Sequence, residues 1–372
     1  MAHQKHAKLT KPEGGLYGRL EICLMGAPCS AIKKLSGKLI DNLKQYQIAY
    51  LDADHQAPET ADFNALKHGA TSQLTNKISH YSLDMKRGED HYFNEADLVL
   101  VNGNHFKAKE QIVWVHPKKS LEKKLDKLTN VGLVLLEEGE DLPDFLKNHL
   151  ANIDYKVLSS LDEAEIVKYL AASIENNTPK LNGLVLVGGK STRMQKDKSQ
   201  LVIRDNKPQF AYLSELLANY CDNVFVSVRD EDQASEYDLP AITDKFLGLG
   251  PYGGILSAFQ ENPNVAWFVV AVDLPFLDDP AIGKLVEQRQ PGKVATCYID
   301  RKNEFPEPLI TIWEPKAYPI LLNFLARGYS CPRKALINSE VNVLTDREEH
   351  ILTNVNNPED LSLAKTTLSS NV

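Results

Sequence analysis

The sequence predicts an α/β protein of two domains, each a mostly parallel sheet covered by helices. Three observations carry that prediction. The chain has 372 residues, more than a single hydrophobic core ordinarily organises. Short Val/Ile/Leu runs alternate with helical patterns over most of its length, which is the rhythm of parallel βαβ units. The polar stretch Asn176-Asn177-Thr178-Pro179 has linker chemistry and divides two such series. The expected domains are therefore residues 1–178 and 179–372, and no internal repeat relates them.

In the first half, Leu20 to Met25 reads as a strand ending at Gly26. Ile32, Leu35, Leu39 and Leu43 follow at helical spacing, with Ser30 as the expected cap. Ile48 to Leu51 is a second strand, followed by a polar stretch holding Asp52, Asp54 and His55. Leu98 to Val101, Ile112 to Val115 and Val131 to Leu136 are further short strands, and a helix from Asp162 to Glu175 closes the half. The second half restarts with Gly183 to Val187, a strand of the buried type that runs into Gly188-Gly189. A helix Phe210 to Tyr220, a strand Val224 to Val228, a helix near Gly254 and a strand Trp267 to Val272 come next. Helix Ala281 to Gln288, strands Val294 to Cys297 and Leu309 to Trp313, helix Lys316 to Arg327 and a helix after Pro358 complete a Rossmann-like layout. In such sheets ligands sit beyond the carboxyl ends of the strands.

Composition narrows the function classes. Hydrophobic residues at 43% and charged residues at 25% describe a soluble globular chain. The net charge of −8 comes without a basic stripe, which argues against nucleic acid as a partner. Lys118, Lys119, Lys123, Lys124 and Lys127 lie at helical spacing among leucines and read as a solvated face. Five cysteines (Cys23, Cys29, Cys221, Cys297, Cys331) are scattered, odd in number and without a C-x-x-C, the usage of a reducing compartment. Met1 to Arg19 is polar and no apolar run reaches membrane-spanning length. The expectation is a cytoplasmic protein without a membrane partner.

The chemistry concentrates in Leu186-Val187-Gly188-Gly189-Lys190-Ser191-Thr192-Arg193-Met194-Gln195-Lys196-Asp197-Lys198. Paired glycines directly after a strand let backbone amides approach phosphate oxygens closely. Arg193 adds a planar fork and Lys198 a point charge, the two forms in which a protein neutralises a triphosphate. The lysine spacing is not that of a P-loop. Asp273 stands at the end of an apolar strand, where Leu274-Pro275-Phe276 fixes a turn and aims one carboxylate into the crevice. Magnesium takes one or two carboxylates and completes its shell with water and substrate phosphates. Asp244 is a candidate second acidic contact, to the metal or to the substrate.

This loop resembles the L-x-G-G-x-S-x-R-M-G-x-D-K signature of molybdenum cofactor guanylyltransferases and their nucleotidyltransferase relatives. Four further stretches resemble the same family in order and spacing: Asp244 with Gly250-Pro251-Tyr252-Gly253-Gly254-Ile255, Val272 to Leu277, Glu307-Pro308-Leu309, and Asn354 to Leu361. The likeness covers about residues 181–365. It implies a magnesium-dependent nucleotidyltransferase that uses GTP, or another nucleoside triphosphate such as CTP, with a molybdopterin-type acceptor. By that likeness Arg193, Lys198 and Asp273 would be catalytic. Leu186, Gly188, Gly189, Arg193, Lys198, Asp244 and Gly253 would bind the nucleotide, and Asp273 and Asp244 the metal. Molybdoenzymes or other proteins of the cofactor pathway are the implied partners. The sequence departs from the signature at Val187, at Gln195 where the family has glycine, and at Arg229-Asp230 where it often has asparagine. Transfer to a sugar or alcohol phosphate, or a non-catalytic scaffold that delivers cofactor, are the alternatives.

In the first half, Gly26-Ala27-Pro28-Cys29-Ser30-Ala31-Ile32-Lys33-Lys34 stands where a P-loop would, but lacks its second glycine and its Lys-Thr pair. Asp52 to His55, Lys67 to Ala70 and Ala96 to Gly103 resemble the GTP-binding adapter of the same pathway, the MobB type, with Asn102 in place of an acidic residue. The resemblance implies a P-loop-like α/β domain that has lost nucleotide hydrolysis. His55, His68, His80 and His105 match no metal-ligand spacing and read as surface or hydrogen-bonding residues.

Overall fold

The computed structural model describes residues 15–54, 72–77, 93–94, 96–187, 198–204, 207–300, 304–345, 349–355 and 357–370. The chain divides into two compact units, Met1–Asn177 and Thr178–Val372.

The first unit holds strands β1 (Glu21–Met25), β2 (Ile48–Asp54), β3 (Ser72–Lys77), β4 (Leu98–Asn102), β5 (Glu110–Val115), β6 (Val131–Leu136) and β7 (Lys156–Ser159). They form one sheet in the order β3-β2-β4-β1-β5-β6-β7, and every pairing among these described strands is parallel. Helices α1 (Cys29–Asn42), α2 (Asp144–His149) and α3 (Glu163–Asn176) connect them. β1 and β4 are buried along their whole length, as expected of central parallel strands. Ile32, Leu35, Leu39 and Ile40 of α1 pack with Ile22, Leu24, Leu98 and Leu100 in one core, and Cys23, Val99, Val101 and Val113 face another on the opposite side.

Two sequence expectations change here. Ser30 does not cap α1. The helix starts at Cys29, and Pro28, with φ −56° and ψ 144°, occupies the cap position without a side-chain bond. The Pro28 carbonyl accepts from the Ala31 and Ile32 amides, so the fixed proline φ rather than a hydroxyl starts the turn. Nor does β2 stop at Leu51. It runs on through Asp52, which is only 1% exposed, because that carboxylate accepts from Tyr50 Oη at 2.9 Å, Asn102 Nδ2 at 2.8 Å and the Ala53 amide at 2.7 Å. The lysine-rich segment folds partly as a short 3-10 helix, Glu122–Lys127.

The second unit holds β8 (Leu181–Leu186), β9 (Asn223–Val228), β10 (Ala241–Thr243), β11 (Ala266–Ala271), β12 (Ala295–Asp300), β13 (Phe305–Trp313) and β14 (Val341–Leu344). Its helices are α4 (Gln209–Ala218), α5 (Glu231–Ala234), α6 (Pro251–Glu261), α7 (Asp279–Glu287), α8 (Ala317–Ala326), α9 (Pro332–Ile337) and α10 (Pro358–Ser370). The sheet order is β10-β9-β8-β11-β13-β12-β14. Among these described strands only β13 runs antiparallel, to β11 and to β12. Cores on both faces of this sheet make it the middle of three layers. The short strands β10 and β14 had no counterpart in the sequence reading, since three or four residues carry too little periodicity.

One buried ion pair supports this layering. Glu314, fully buried after β13, receives Arg289 Nε at 2.7 Å and Nη2 at 2.8 Å, and the same Nη2 donates to the Pro179 carbonyl at 2.9 Å. Removing one partner of a buried pair leaves the other charge uncompensated and costs about 3–5 kcal/mol. Arg289→Ala should lower unfolding free energy in urea by about that much, while the joint replacement Arg289→Met with Glu314→Leu should recover most of it. A loss below about 1 kcal/mol for the single change would contradict this role, being no more than an exposed pair contributes.

Candidate functional site at the carboxyl ends of the second sheet

Parallel strands β10, β9, β8 and β11 end on the same edge, and of the residues singled out in the sequence Leu186, Asp244 and Asp273 lie at or just beyond those strand ends. β8 and β11 pair in register from Leu181 with Ala266 to Leu186 with Ala271. Leu186, the last residue of β8, is thus opposite the last residue of β11. Val187 follows, buried and donating its amide to the Ser227 carbonyl at 3.3 Å. Gly188, Gly189, Arg193 and Gln195 lie outside the described residues. The chain is described again at Lys198, whose backbone opens a short 3-10 helix, Lys198–Gln200. Ser199 pins that helix through a buried 2.7 Å hydrogen bond between its hydroxyl and that of Tyr237.

Asp273 lies two residues beyond β11 in a turn held from three sides. Gln209 Nε2 donates to the Leu274 carbonyl at 3.2 Å, Arg204 Nη2 to that of Pro275 at 2.5 Å, and Tyr212 Oη to that of Leu277 at 3.2 Å. Arg204 also bonds Tyr212 Oη at 2.5 Å and stacks its guanidinium 4.6 Å from the Tyr212 ring centre. The Asp273 carbonyl accepts from the Val355 amide at 2.9 Å, so the segment before α10 is fastened to the same turn. There Asn357 and Asp360 exchange side-chain and backbone hydrogen bonds at 2.8 and 3.2 Å, a reciprocal cap that explains the Asn-Pro-Glu-Asp spacing.

Within electrostatic reach of Asp273 stands a carboxylate that the sequence reading named in the Glu307-Pro308-Leu309 stretch but gave no role. Glu307 of β13 is held above the usual carboxylate range, first by burial and also by the Asp273 charge, and Arg333 opposes both. Arg333 Nη2 sits 2.7 Å from Glu307 Oε2. The sequence signals of Glu307 were the Glu307-Pro308-Leu309 stretch and an acidic residue inside an otherwise apolar strand. Arg333 had none, because β13 and α9 meet only in three dimensions.

Asp244 follows β10 and is half-buried. Its amide donates to the Val228 carbonyl at 2.8 Å, and Ser227 Oγ lies 3.4 Å from its Oδ1. Burial pushes its carboxyl up to about 6, with the Ser227 contact working the other way. The N-terminus of α6 closes over this corner. Gly250 precedes the helix with φ +57°, and the packing at Gly253 and Gly254 leaves no room for a side chain. A Cβ on Gly253 would fall 2.4 Å from the Phe246 carbonyl oxygen, and one on Gly254 2.5 Å from Ser227 Oγ. Among the described residues no three His, Cys, Asp or Glu side chains converge as a metal cluster, and no helix is long and apolar enough to cross a membrane.

A mostly parallel sheet between two helical layers, with an acidic turn at its carboxyl edge, defines a three-layer α/β domain. Residues 183–342 match the family profile described as a MobA-like NTP transferase domain. A molybdenum cofactor biosynthesis bifunctional protein of Synechocystis is 37% identical over 187 residues, which are 50% of this chain and 53% of that protein. The chain thus spans about half the length of that relative. A probable molybdenum cofactor guanylyltransferase of Methanothermobacter thermautotrophicus is 26% identical over 48% of this chain and 96% of its own length. Among solved structures, molybdopterin-guanine dinucleotide biosynthesis protein A of Archaeoglobus fulgidus aligns at 25% identity and a TM-score of 0.44, over 51% of this chain and 99% of that one.

Two outcomes follow from this corner. Gly254→Ala should destabilise the second unit by about 1–3 kcal/mol through overpacking, and adding Ser227→Ala should relieve most of it. Chemical denaturation of the single and double variants reads this directly, and a double variant no better than the single would refute the contact. For Asp244 the sign follows from proton binding. A carboxyl raised in the folded state holds its proton where the unfolded chain has lost it, so its contribution falls as pH rises from about 4 to about 6 and stays low above. Asp244→Asn should therefore raise Tm in metal-free protein at pH 7.5 and do so less at pH 4.5. Equal gains at both pH values would rule the effect out.

Proposed function

We propose that this protein transfers a guanylyl group from GTP to the terminal phosphate of molybdopterin or its molybdenum form, releasing pyrophosphate. The observation that carries the reading is the clamped Asp273 turn at the carboxyl end of β11, next to the end of β8, in the stretch that matches the MobA-like NTP transferase profile. The relatives named as guanylyltransferases support GTP as donor.

An acceptor phosphate is already nucleophilic at neutral pH, so its oxygen attacks the α-phosphorus in line without a general base, and pyrophosphate leaves. Catalysis is then positioning and charge neutralisation. Gly188 and Gly189 offer amides to the triphosphate, and Arg193 and Lys198 neutralise it. Asp273 would hold Mg²⁺, which when bound withdraws charge from the phosphates. The donor chemistry fits, because Asp273 is a carboxylate in a clamped turn at the strand end, and a hard cation takes one or two such oxygens and leaves the rest of its shell to water and phosphate. Strand order supports separate places for the two acids. β10 and β11 are three strand spacings apart, about 14 Å, so Asp244 addresses another part of the bound nucleotide, at the α6 N-terminus with Leu186 and Gly253. Cytoplasmic placement and molybdoenzyme partners belong to the same reading.

Pyrophosphate release should require molybdopterin, Mg²⁺ and GTP, with ATP, CTP and UTP poor substitutes. Asp273→Ala should lower turnover by about 10²–10³-fold, the scale of losing a transition-state charge stabiliser, while the thermal transition stays near wild type. Equal turnover with CTP, transfer to a sugar phosphate, or an active Asp273→Ala variant would overturn the assignment. Tight GTP binding without release would make the protein a scaffold.

A further inference from the structure

Arg204 commits its guanidinium to the turn that follows Asp273. Nη2 donates to the Pro275 carbonyl at 2.5 Å and Nη1 to Tyr212 Oη at 2.5 Å, and Tyr212 Oη in turn donates to the Leu277 carbonyl at 3.2 Å. The guanidinium also lies over the Tyr212 ring, 4.6 Å from its centre. Among the described residues no carboxylate pairs with Arg204, and its Nε is buried. A partly buried cation without an acidic partner costs desolvation energy, which its bonds to the turn have to offset. We propose that Arg204 is a positioning residue that, by holding this turn, aims the Asp273 carboxylate at a divalent cation and so sets the cation requirement of guanylyl transfer. The inference rests on the reaction proposed above.

The turn needs that support. Its own closing hydrogen bond, from the Leu277 amide to the Leu274 carbonyl, is long at 3.4 Å, with Pro275 fixing φ at the second position. The bond from Arg204 to the Pro275 carbonyl is short and charge-assisted, the stronger kind. Arg204 also reaches the turn from a fixed base. An antiparallel bridge joins Val202 to Pro208, and the Gln209 amide donates to the Leu201 carbonyl at 2.9 Å. Leu201 and Ile203 pack in a small core with Phe276 of the turn and with Val355 and Ala364. Val355 is the residue whose amide holds the Asp273 carbonyl at 2.9 Å. The segment bearing Arg204, the Asp273 turn and the stretch before α10 thus form one packed group. Arginine suits the place because its planar fork serves two acceptors at once, which a single ammonium does with less fixed geometry.

A cation such as Mg²⁺ demands near-octahedral geometry and takes few protein oxygens, so the direction of one carboxylate weighs heavily in its affinity. Groups that orient a metal's ligands change affinity by about 10–100-fold when they are removed. Charge alone acts in the opposite direction: taking a positive guanidinium away from the turn would favour a divalent cation there. The sign of the change therefore separates positioning from electrostatics.

The test uses the full chain in excess over a non-hydrolysable GTP analogue, with Mn²⁺ standing for Mg²⁺ and free Mn²⁺ followed by its EPR signal. Arg204→Met should weaken Mn²⁺ binding about tenfold while the metal-free affinity for the analogue stays within about twofold. Arg204→Lys, which keeps the charge and loses the fork, should fall between Arg204→Met and wild type. Asp273→Ala should remove the Mn²⁺ site, and Arg204→Met should add nothing to that loss. In turnover, Arg204→Met should raise the Mg²⁺ concentration for half-maximal pyrophosphate release by the same factor and keep most of kcat at saturating Mg²⁺. Unchanged or tighter Mn²⁺ binding by Arg204→Met, beside an Asp273→Ala protein that has lost the site, would overturn the inference and leave the proposed reaction standing. So would an equal loss of metal-free analogue binding, which marks a purely structural role. Wild-type Mn²⁺ binding by Asp273→Ala would instead overturn the reading of Asp273, and this inference with it.

Discussion

The parallel register between β8 and β11 is the constraint on which the second unit's site depends. Because Leu186 pairs with Ala271, both chains leave the sheet at the same level, one strand spacing apart, about 4.8 Å. A shift of one residue would turn every side chain of a strand to the other face. That would move Asp273 away from the crevice and exchange the buried row Ala266–Ala271 between the two cores it is sized to fit. The apolar cores on both faces therefore fix the chemistry as well as the stability: Phe268 and Val270 pack on one side, Trp267 and Val269 on the other.

Around that register the unit places its charges with neighbours that suit them. Glu314 is buried because Arg289 meets it with two hydrogen bonds, and the pair is structural. Glu307 has one arginine and a nearby like charge, and Asp244 has a single long contact with Ser227. Carboxylates left with incomplete compensation are held partly toward their protonated form, and perturbed groups of this kind cluster at functional sites.

The first unit is also a seven-stranded α/β sheet, and its charges are placed differently. Lys33, one position beyond where a P-loop lysine stands, lies against Asp52, and Asn102 donates to that same carboxylate. The pocket-end charges are therefore engaged within the domain. Gly26 keeps the positive φ of a tight strand-to-helix turn, +96°, and a Cβ there would fall 2.5 Å from the Trp114 carbonyl oxygen. The strand-to-helix turn is thus tight, and Pro28 and Cys29 stand at the start of α1.

What the sequence determined by itself is what rests on local pattern. Runs such as Leu98 to Val101 and Trp267 to Val272 are continuous and apolar, so both sheets, their mostly parallel character and the strand-end place of Asp273 were legible without coordinates. So was the motif series, because backbone geometry at Gly250 and the cap at Asn357 and Asp360 constrain residue type locally. What only the tertiary structure decided depends on residues distant in the chain: the partnering of Glu307 with Arg333, the three clamps on the Asp273 turn, and the meeting of Cys29 with His105 across 76 positions. The extension of β2 through Asp52 belongs with these, since a buried carboxylate is tolerated only where donors from other elements satisfy it.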